Sequence, residues 1–283
     1  MKPFLKWVGG KTQILDQVVE SFPTEIVNYH EPFLGGGSVL LALLAKVSSG
    51  KIKLTGKVYC SDINTKLINV YKVVQQSPRE FIDEIERLSS NFNESGDNRE
   101  EFYYLVRNQF NEVDKDSIKM AAMFVFLNKT CFRGMYRENS KGAFNVPYGN
   151  YKTPKIIEPT HIIEVSKMIT PVIFTAESFE SSLTRPVIGD FVYLDPPYAP
   201  ETIDSFVAYN SVGFGHEQHL LLFETVKGFE PRGVQFVMSN SNTQMVTIAF
   251  GVNEYHLKTI LCKRSINSKN PGALTVELLI KPK

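Results

Sequence analysis

The sequence predicts an α/β fold with seven strands and a helical insert, and three observations carry that expectation. Short apolar runs alternate with helical stretches toward both ends of the chain. A glycine-rich segment joins an early strand to a helix, and a long helical excursion separates the second strand from the third.

Before the first strand lies Phe4-Leu5-Lys6-Trp7-Val8-Gly9-Gly10-Lys11, which holds the only tryptophan, a Gly-Gly pair and two lysines. It reads either as a structural arm with a buried Trp7 or as a lid in which Trp7 and Lys11 close over a small-molecule pocket. The first strand is placed at 26–29, and Glu31-Pro32-Phe33-Leu34-Gly35-Gly36-Gly37-Ser38 then leads into an apolar helix at 39–47. Glycines at such a turn let the backbone approach a ligand closely and leave helix N-terminal N–H groups available. The second strand, 57–61, ends at Asp62. An acid about 20 residues past a glycine turn, at the tip of the next strand, is where a doubly wound sheet binds a ribose hydroxyl pair. The turn is not G-x-G-x-x-G and no Walker lysine follows it, so a nucleoside without phosphates fits better than a dinucleotide or a triphosphate.

From Pro78 to about Asn128 the period becomes helical: Phe81, Ile85 and Leu88, then Phe102, Leu105 and Val106, then Ile118, Ala122, Val125 and Phe126. The polar, glycine-containing stretch 90–98 reads as a link between two of these helices. The excursion is too long for a crossover, which divides the chain into a discontinuous domain, 1–71 and 166–283, and an insert, 72–165. The remaining strands are expected at 172–175, 191–194, 234–239, 254–259 and 275–281. The last two have no long helix between them and suit an antiparallel edge pair.

The fourth of the seven strands, Phe191-Val192-Tyr193-Leu194, runs into Asp195-Pro196-Pro197-Tyr198. Asp-Pro and Pro-Pro are also ordinary turn dipeptides, so a plain polar turn is the alternative. The chemical reading is that the prolines fix φ and leave the Pro196 carbonyl pointing out of the turn. With the Asp195 carboxylate it offers two acceptors to an exocyclic NH2 group. Tyr198 supplies a face for a planar heterocycle, a contact that contributes roughly 1–3 kcal/mol per base.

Composition excludes several classes. The 283 residues are 43% hydrophobic and 22% charged, ordinary values for a globular protein. No apolar stretch reaches membrane-spanning length and Met1-Lys2-Pro3-Phe4 opens no signal peptide, so a cytoplasmic location is expected. Cys60, Cys131 and Cys262 form no CxxC pair, which indicates neither a disulfide framework nor a zinc site, and no metal is expected. His216 and His219 have a ligand-like spacing but no third ligand nearby, and read as loop and helix-start residues. The net charge of +1 hides an uneven distribution. Lys129, Arg133, Arg137, Lys141, Lys152 and Lys155 face Glu138 alone, and Lys258, Lys263, Arg264 and Lys269 face no acid between 257 and 272. Two basic loops on an otherwise acidic chain suit a polyanion. The first interleaves its charges with Phe132, Tyr136, Phe144, Tyr148 and Tyr151, a mixture fit for phosphate, base-edge and stacking contacts.

Taken together, Lys6 to Lys11, Glu31 to Ser38, Ser61-Asp62-Ile63-Asn64, Phe144-Asn145-Val146-Pro147-Tyr148-Gly149 and Asp195 to Tyr198 resemble the Dam and DpnII type of N6-adenine DNA methyltransferases. The motif order resembles that of the α group of amino-methyltransferases. The resemblance is collinear from near Lys2 to Glu277. It implies a seven-stranded Rossmann-like S-adenosylmethionine-dependent sheet, with residues 72–165 as an inserted, mainly helical target-recognition domain. It further implies S-adenosyl-L-methionine as donor, S-adenosyl-L-homocysteine as product, and double-stranded DNA as partner of a monomer or dimer from a bacterium, phage or virus.

Carried over residue by residue, the cofactor contacts are Trp7, Gly9, Gly10, Lys11, Glu31, Pro32, Phe33, Gly35, Gly37, Ser38, Asp62, Ile63 and Asp195. Asp195, Pro196, Pro197 and Tyr198 are catalytic. DNA contacts fall on Lys6, Phe132, Arg133, Met135, Arg137, Pro147, Tyr151, Lys152, Lys263 and Arg264, with Lys155 and Lys269 as further phosphate contacts. Arg133 stands where many relatives carry asparagine, and Asn150 where some carry arginine. GATC leads as the recognition site, with CATG or another short palindrome behind, in a restriction-modification or solitary role. Cytosine N4, RNA adenine or a glutamine side chain as acceptor, and a catalytically silent DNA-binding module, are the competing readings.

Overall fold

The computed structural model describes residues 1–114, 116–199, 214–263 and 274–283, so Arg264 and Lys269, and the side chain of Lys263, lie outside the description. The chain forms two compact units. One comprises residues 11–34, 42–63 and 177–283; the other comprises 1–10, 35–41 and 64–176.

In chain order the elements begin with α1 (Leu15–Glu20), β1 (Glu25–Ile26), β2 (Tyr29–Glu31), α2 (Ser38–Ser48), β3 (Lys53–Leu54) and β4 (Val58–Asp62). Helices α3 (Thr65–Gln76), α4 (Pro78–Glu94), α5 (Arg99–Glu112), α6 (Ile118–Thr130) and α7 (Pro159–Ile169) follow. The remainder is β5 (Val172–Ala176), α8 (Phe179–Ser182), β6 (Phe191–Leu194), α9 (His216–Lys227), β7 (Gln235–Ser241), α10 (Gln244–Ala249), β8 (Tyr255–Lys263) and β9 (Leu274–Pro282). Seven strands form one sheet in the order β5-β4-β2-β6-β7-β9-β8, and β1 pairs with β3 in a separate two-stranded sheet.

All four residues of β6 are buried, the expected state of a strand covered on both faces, and the reason it reads as an unbroken apolar run. Its neighbours β2 and β7 are parallel to it. From β2 the chain moves outward to β4 on one side and later returns to β6 on the other. The carboxyl ends of β2 and β6 therefore flank a topological switch point, where open α/β sheets bind ligands. Phe22, Tyr29, Phe191 and Tyr193 pack as a ring cluster, with 4.6 Å between the Phe22 and Phe191 centroids. The expected antiparallel edge is present: β9 runs antiparallel to both β7 and β8.

In the other unit, α6 is buried along most of its length, from Met120 through Asn128, as befits a helix that is apolar all round. Ser117 caps it by accepting from the Met120 N–H at 3.0 Å, and Asn64 caps α3 through the Leu67 N–H at 3.0 Å. Helix α4 starts on Pro78, a position where the missing N–H costs nothing.

Besides shifts of one to four residues at other element ends, two boundaries differ from the sequence reading. The first long-sheet strand is 29–31, whereas Ile26 pairs with Leu54 in the small sheet. Asn28 separates the two: its side chain donates to Asp190 Oδ1 at 2.7 Å and accepts from the Lys57 N–H at 2.8 Å. The link expected at 90–98 is helical as far as Glu94, because Phe92 continues the buried series Phe81, Ile85 and Leu88.

Candidate active site

Three acids stand at the carboxyl ends of three adjacent parallel strands: Glu31 closes β2, Asp62 closes β4 and Asp195 follows β6. The Asp195 carboxylate meets Lys11 Nζ at 2.8 Å, with Lys11 only 4% exposed and Asp195 20% exposed. Lys11 Nζ lies 3.9 Å from Glu277 Oε2 on β9 and 4.7 Å from the centre of the Tyr198 ring. The Tyr198 hydroxyl donates to Glu277 Oε2 at 2.7 Å. Beyond it, the Ala199 N–H donates to Asn240 Oδ1 at 3.1 Å and the Ser241 hydroxyl to the Ala199 carbonyl at 2.5 Å, both from the end of β7. No hydrogen bond between described residues occupies the Pro196 carbonyl. The Asp195-Tyr198 segment is thus a fixed turn rather than a loose polar loop, and an acceptor pair remains on it.

Burial raises the Asp195 carboxyl above its ordinary pKa; Lys11 opposes that shift and Glu277 adds to it. The same burial, with Asp195 and Glu277 as neighbouring charges, keeps the Tyr198 phenol well above its usual value and therefore neutral. Glu277 was not singled out by sequence reasoning. Its signal was an acid interrupting the apolar run Val276 to Ile280.

Glu31 is 3% exposed and accepts from the Tyr29 hydroxyl at 2.7 Å. Burial pushes its carboxyl up to about 8, against the Tyr29 hydrogen bond and with help from Asp195. Between the unfolded carboxyl's value near 4.5 and about 8, the folded chain holds a proton that the unfolded chain has lost, so stability falls as pH rises through that window. Glu31→Gln is expected to flatten the decline, which can reach a few kcal/mol. Melting temperatures measured from pH 5 to 8.5 test this, and an unchanged slope in the glutamine variant would assign the effect to another group.

Phe33 stacks on Phe179 at 5.7 Å and meets the edge of Phe214 at 5.7 Å. Pro32 is buried, whereas Ile63, next to Asp62, is 77% exposed. In the other unit, Gly35 and Gly37 have φ of +49° and +67°. A Cβ on Gly35 would stand 2.8 Å from Trp7 Cδ1, and one on Gly37 would stand 2.7 Å from the Tyr71 hydroxyl. That hydroxyl donates to the Gly35 carbonyl at 3.0 Å. The glycines are therefore required by the packing of Trp7 and Tyr71, a reason the sequence did not reveal, in addition to any approach by a ligand. Trp7 is half-buried and stacks with Phe124 and Tyr136 at 6.3 and 5.9 Å. Gly9 is exposed at φ +79°, the Gly10 N–H donates to the Trp7 carbonyl at 3.2 Å, and Ser38 opens α2.

The sequence-predicted DNA contacts other than Lys263 and Arg264 lie in this second unit; those two belong to the chain segment of the first. Asn128 joins the N-terminal arm to the loop after α6: its Oδ1 accepts from the Lys6 N–H at 2.9 Å and its amide donates to the Lys6 and Gly134 carbonyls. Lys6 Nζ sits 4.6 Å from the Tyr151 ring centre. Phe132, Arg133, Arg137, Pro147 and Lys152 are exposed, and Met135 and Tyr151 are half-buried. Arg133 has φ +56° with its guanidinium over Phe132, and Asn150 has φ +51°. Asparagine adopts that backbone conformation readily, whereas arginine does so at a cost. Arg137 Nε donates to Asn145 Oδ1 at 2.7 Å. Lys155 pairs with Glu158.

Among the described residues, no group of three or more His, Cys, Asp or Glu side chains is placed to hold a metal. No described helix is long and apolar enough to cross a membrane.

Residues 7–264 match the family model described as D12 class N6 adenine-specific DNA methyltransferase. The chain is 40% identical over 279 residues to the type II methyltransferase M.MjaIII of Methanocaldococcus jannaschii, covering 95% of this chain and 94% of that protein. It is 30% identical over 276 residues to the type II methyltransferase M1.LlaDCHI of Lactococcus lactis subsp. cremoris, covering 95% and 91%. Identity to the DNA adenine methylase of Escherichia coli K12 is 30% over 280 residues, covering 99% and 94%.

Proposed function

Because the chain belongs to the D12 class of N6 adenine-specific DNA methyltransferases, we propose that it moves the methyl group of S-adenosylmethionine to N6 of an adenine flipped out of a short palindromic site, GATC first. The observation that carries this reading is the Asp195 carboxylate and the Pro196 carbonyl, held just beyond the end of β6 by a turn whose neighbours are bonded on every side.

The residues present fit the donor. Asp62 offers acceptors for ribose hydroxyls and Ile63 an exposed apolar surface for a purine, while Asp195 suits a cationic molecule. Trp7, Gly35 and Gly37 belong to the same set by resemblance. When bound, the donor supplies a methyl group on a sulfonium sulfur, which makes transfer intrinsically feasible. The protein's work is placement and electrostatics.

Adenine N6 is a poor nucleophile because its lone pair is delocalised into the ring. Hydrogen bonds from its two protons to Asp195 and the Pro196 carbonyl favour a more localised lone pair and aim it at the methyl group. Transfer leaves N6 with an extra proton, which departs toward the acceptors it already faces. Extruding the base costs a few kcal/mol, and stacking on Tyr198 offsets part of that. The Tyr198–Glu277 hydrogen bond fixes the orientation of the ring.

Sequence reading belongs to the loop after α6. Arg137, oriented by Asn145, gives a bidentate contact to a guanine, Met135 and Pro147 meet thymine methyl groups, and Lys6, Lys152 and Lys263 contact the backbone or its neighbouring base. Expression in a host lacking adenine methylation, followed by direct sequencing of modified adenines, tests the reading. Modified adenines confined to one short palindrome support it; modified cytosines, or none at all, count against it. Arg137→Ala in the same assay is expected to relax the preference at one base pair, by roughly 1–3 kcal/mol of discrimination. An unchanged map would move base reading to other residues.

A further inference from the structure

We propose that His219 is a positioning residue for methyl transfer: its Nε2–H holds the Pro197 carbonyl and so sets the direction of the Pro196 carbonyl that receives the amine. The inference rests on the function proposed above and assigns a task to a side chain outside the Asp195-Tyr198 motif.

His219 lies in the first turns of α9 and is 0% exposed. Its Nε2 stands 3.0 Å from the Pro197 carbonyl oxygen and its Nδ1 stands 2.8 Å from the Gly215 carbonyl oxygen. Burial lowers the pKa of the ring from its ordinary value, against the pull of both carbonyls, so at neutral pH the ring has one N–H to give. The Gly215 oxygen already accepts the main-chain N–H of His219 at 3.1 Å. In this proposal the ring proton sits on Nε2, toward the Pro197 oxygen, which no other described donor occupies.

The geometry of the turn makes this bond consequential. Peptide planes are rigid and the Pro197 ring fixes its own φ. The plane carrying the Pro196 carbonyl and the plane carrying the Pro197 carbonyl are then related by a single soft angle, ψ of Pro197. A donor that fixes the Pro197 oxygen fixes that angle. Tyr198 and Ala199 are held separately, by Glu277 and by Asn240 with Ser241. His219 is in turn wedged by Phe214 at 4.7 Å and Phe223 at 6.0 Å. Phe214 also packs against Phe33 and Phe179, so one aromatic cluster joins Phe33 to the turn.

Two amide substitutions separate positioning from mere filling of space. In His219→Gln the side-chain amide reaches about as far as Nε2; in His219→Asn it reaches only as far as Nδ1. The glutamine variant should keep kcat within about fivefold of wild type. The asparagine variant should lose about 10- to 100-fold in kcat, with KM for DNA, cofactor affinity and melting temperature close to those of the glutamine variant. Equal kcat in the two variants, or a loss that appears only in KM, overturns the proposal. Nitrogen-15 NMR of histidine-labelled wild-type protein gives an answer that needs no variant: a slowly exchanging Nε2–H tautomer is expected, and an Nδ1–H tautomer would overturn the proposal by itself. Wild-type methylation of adenine N6 in the same assays keeps the two readings apart, because a negative result from the variants beside an active wild type removes only the role of His219.

Discussion

Asp195→Ala is expected to lower the single-turnover rate of methyl transfer by about 10³-fold, the upper end of what one oriented polar group contributes to a transition state, while duplex DNA still binds. The side chain is held by Lys11 at 2.8 Å at the end of a fully buried strand, so its removal takes away the carboxylate proposed as acceptor for the amine and leaves every residue proposed to read DNA in place in the sequence. Lys11 keeps Glu277 as a nearby acid, at 3.9 Å in the intact protein, which limits the damage to folding. Quenched-flow methyl transfer and a gel-shift titration measure the two properties separately. Turnover near wild type would remove Asp195 from the chemistry.

Lys11→Met should have the second largest effect, and its signature is in pH rather than in rate alone. In the proposed mechanism Asp195 accepts from N6 in its ionised form, and burial already holds its pKa above the ordinary carboxylate value in spite of Lys11. Activity therefore falls as pH drops through the Asp195 pKa. Without the lysine, the opposing charge is gone and the pKa rises further. The acid limb of the kcat profile should move to higher pH. Breaking a buried ion pair costs about 3–5 kcal/mol when the remaining charge stays ionised. Here Asp195 can take up a proton instead, so the stability loss should shrink as pH is lowered. A variant whose acid limb coincides with wild type would mean that Lys11 does not govern the ionisation of Asp195.

Much of the fold was legible because its signals are local. Phe191 to Leu194 is an apolar run bounded by Asp190 and Asp195, and the buried series Phe81, Ile85 and Leu88 repeats at helical spacing; each pattern is written within a few residues of itself. The errors arose where a distant residue overrides the local pattern. Asn28 ends one strand pairing and starts another through Asp190, 162 residues away, and Phe126 of α6, 5.4 Å from Phe92 between ring centres, holds α4 helical through a stretch that reads as polar linker. Within the site, Asp195 to Tyr198, the glycine turn and Asp62 could be singled out from order and spacing. Asn240 and Ser241 could not, because each sits in an ordinary strand and acts only through what the fold brings next to it, and Glu277 left only the mark of an acid within an apolar run.

By itself, then, the sequence determined that this chain builds a seven-stranded α/β sheet and that an aspartate, two prolines and a tyrosine end its buried strand. Only the tertiary structure decided that Lys11 reaches that aspartate, that Glu277 orients the tyrosine and that Trp7 and Tyr71 demand the glycines. The physical reason is the range of the forces involved. Periodicity and turn preference act between near neighbours in the chain, whereas a buried ion pair or a close ring contact exists only after the backbone has brought remote segments within a few ångströms and excluded water from between them.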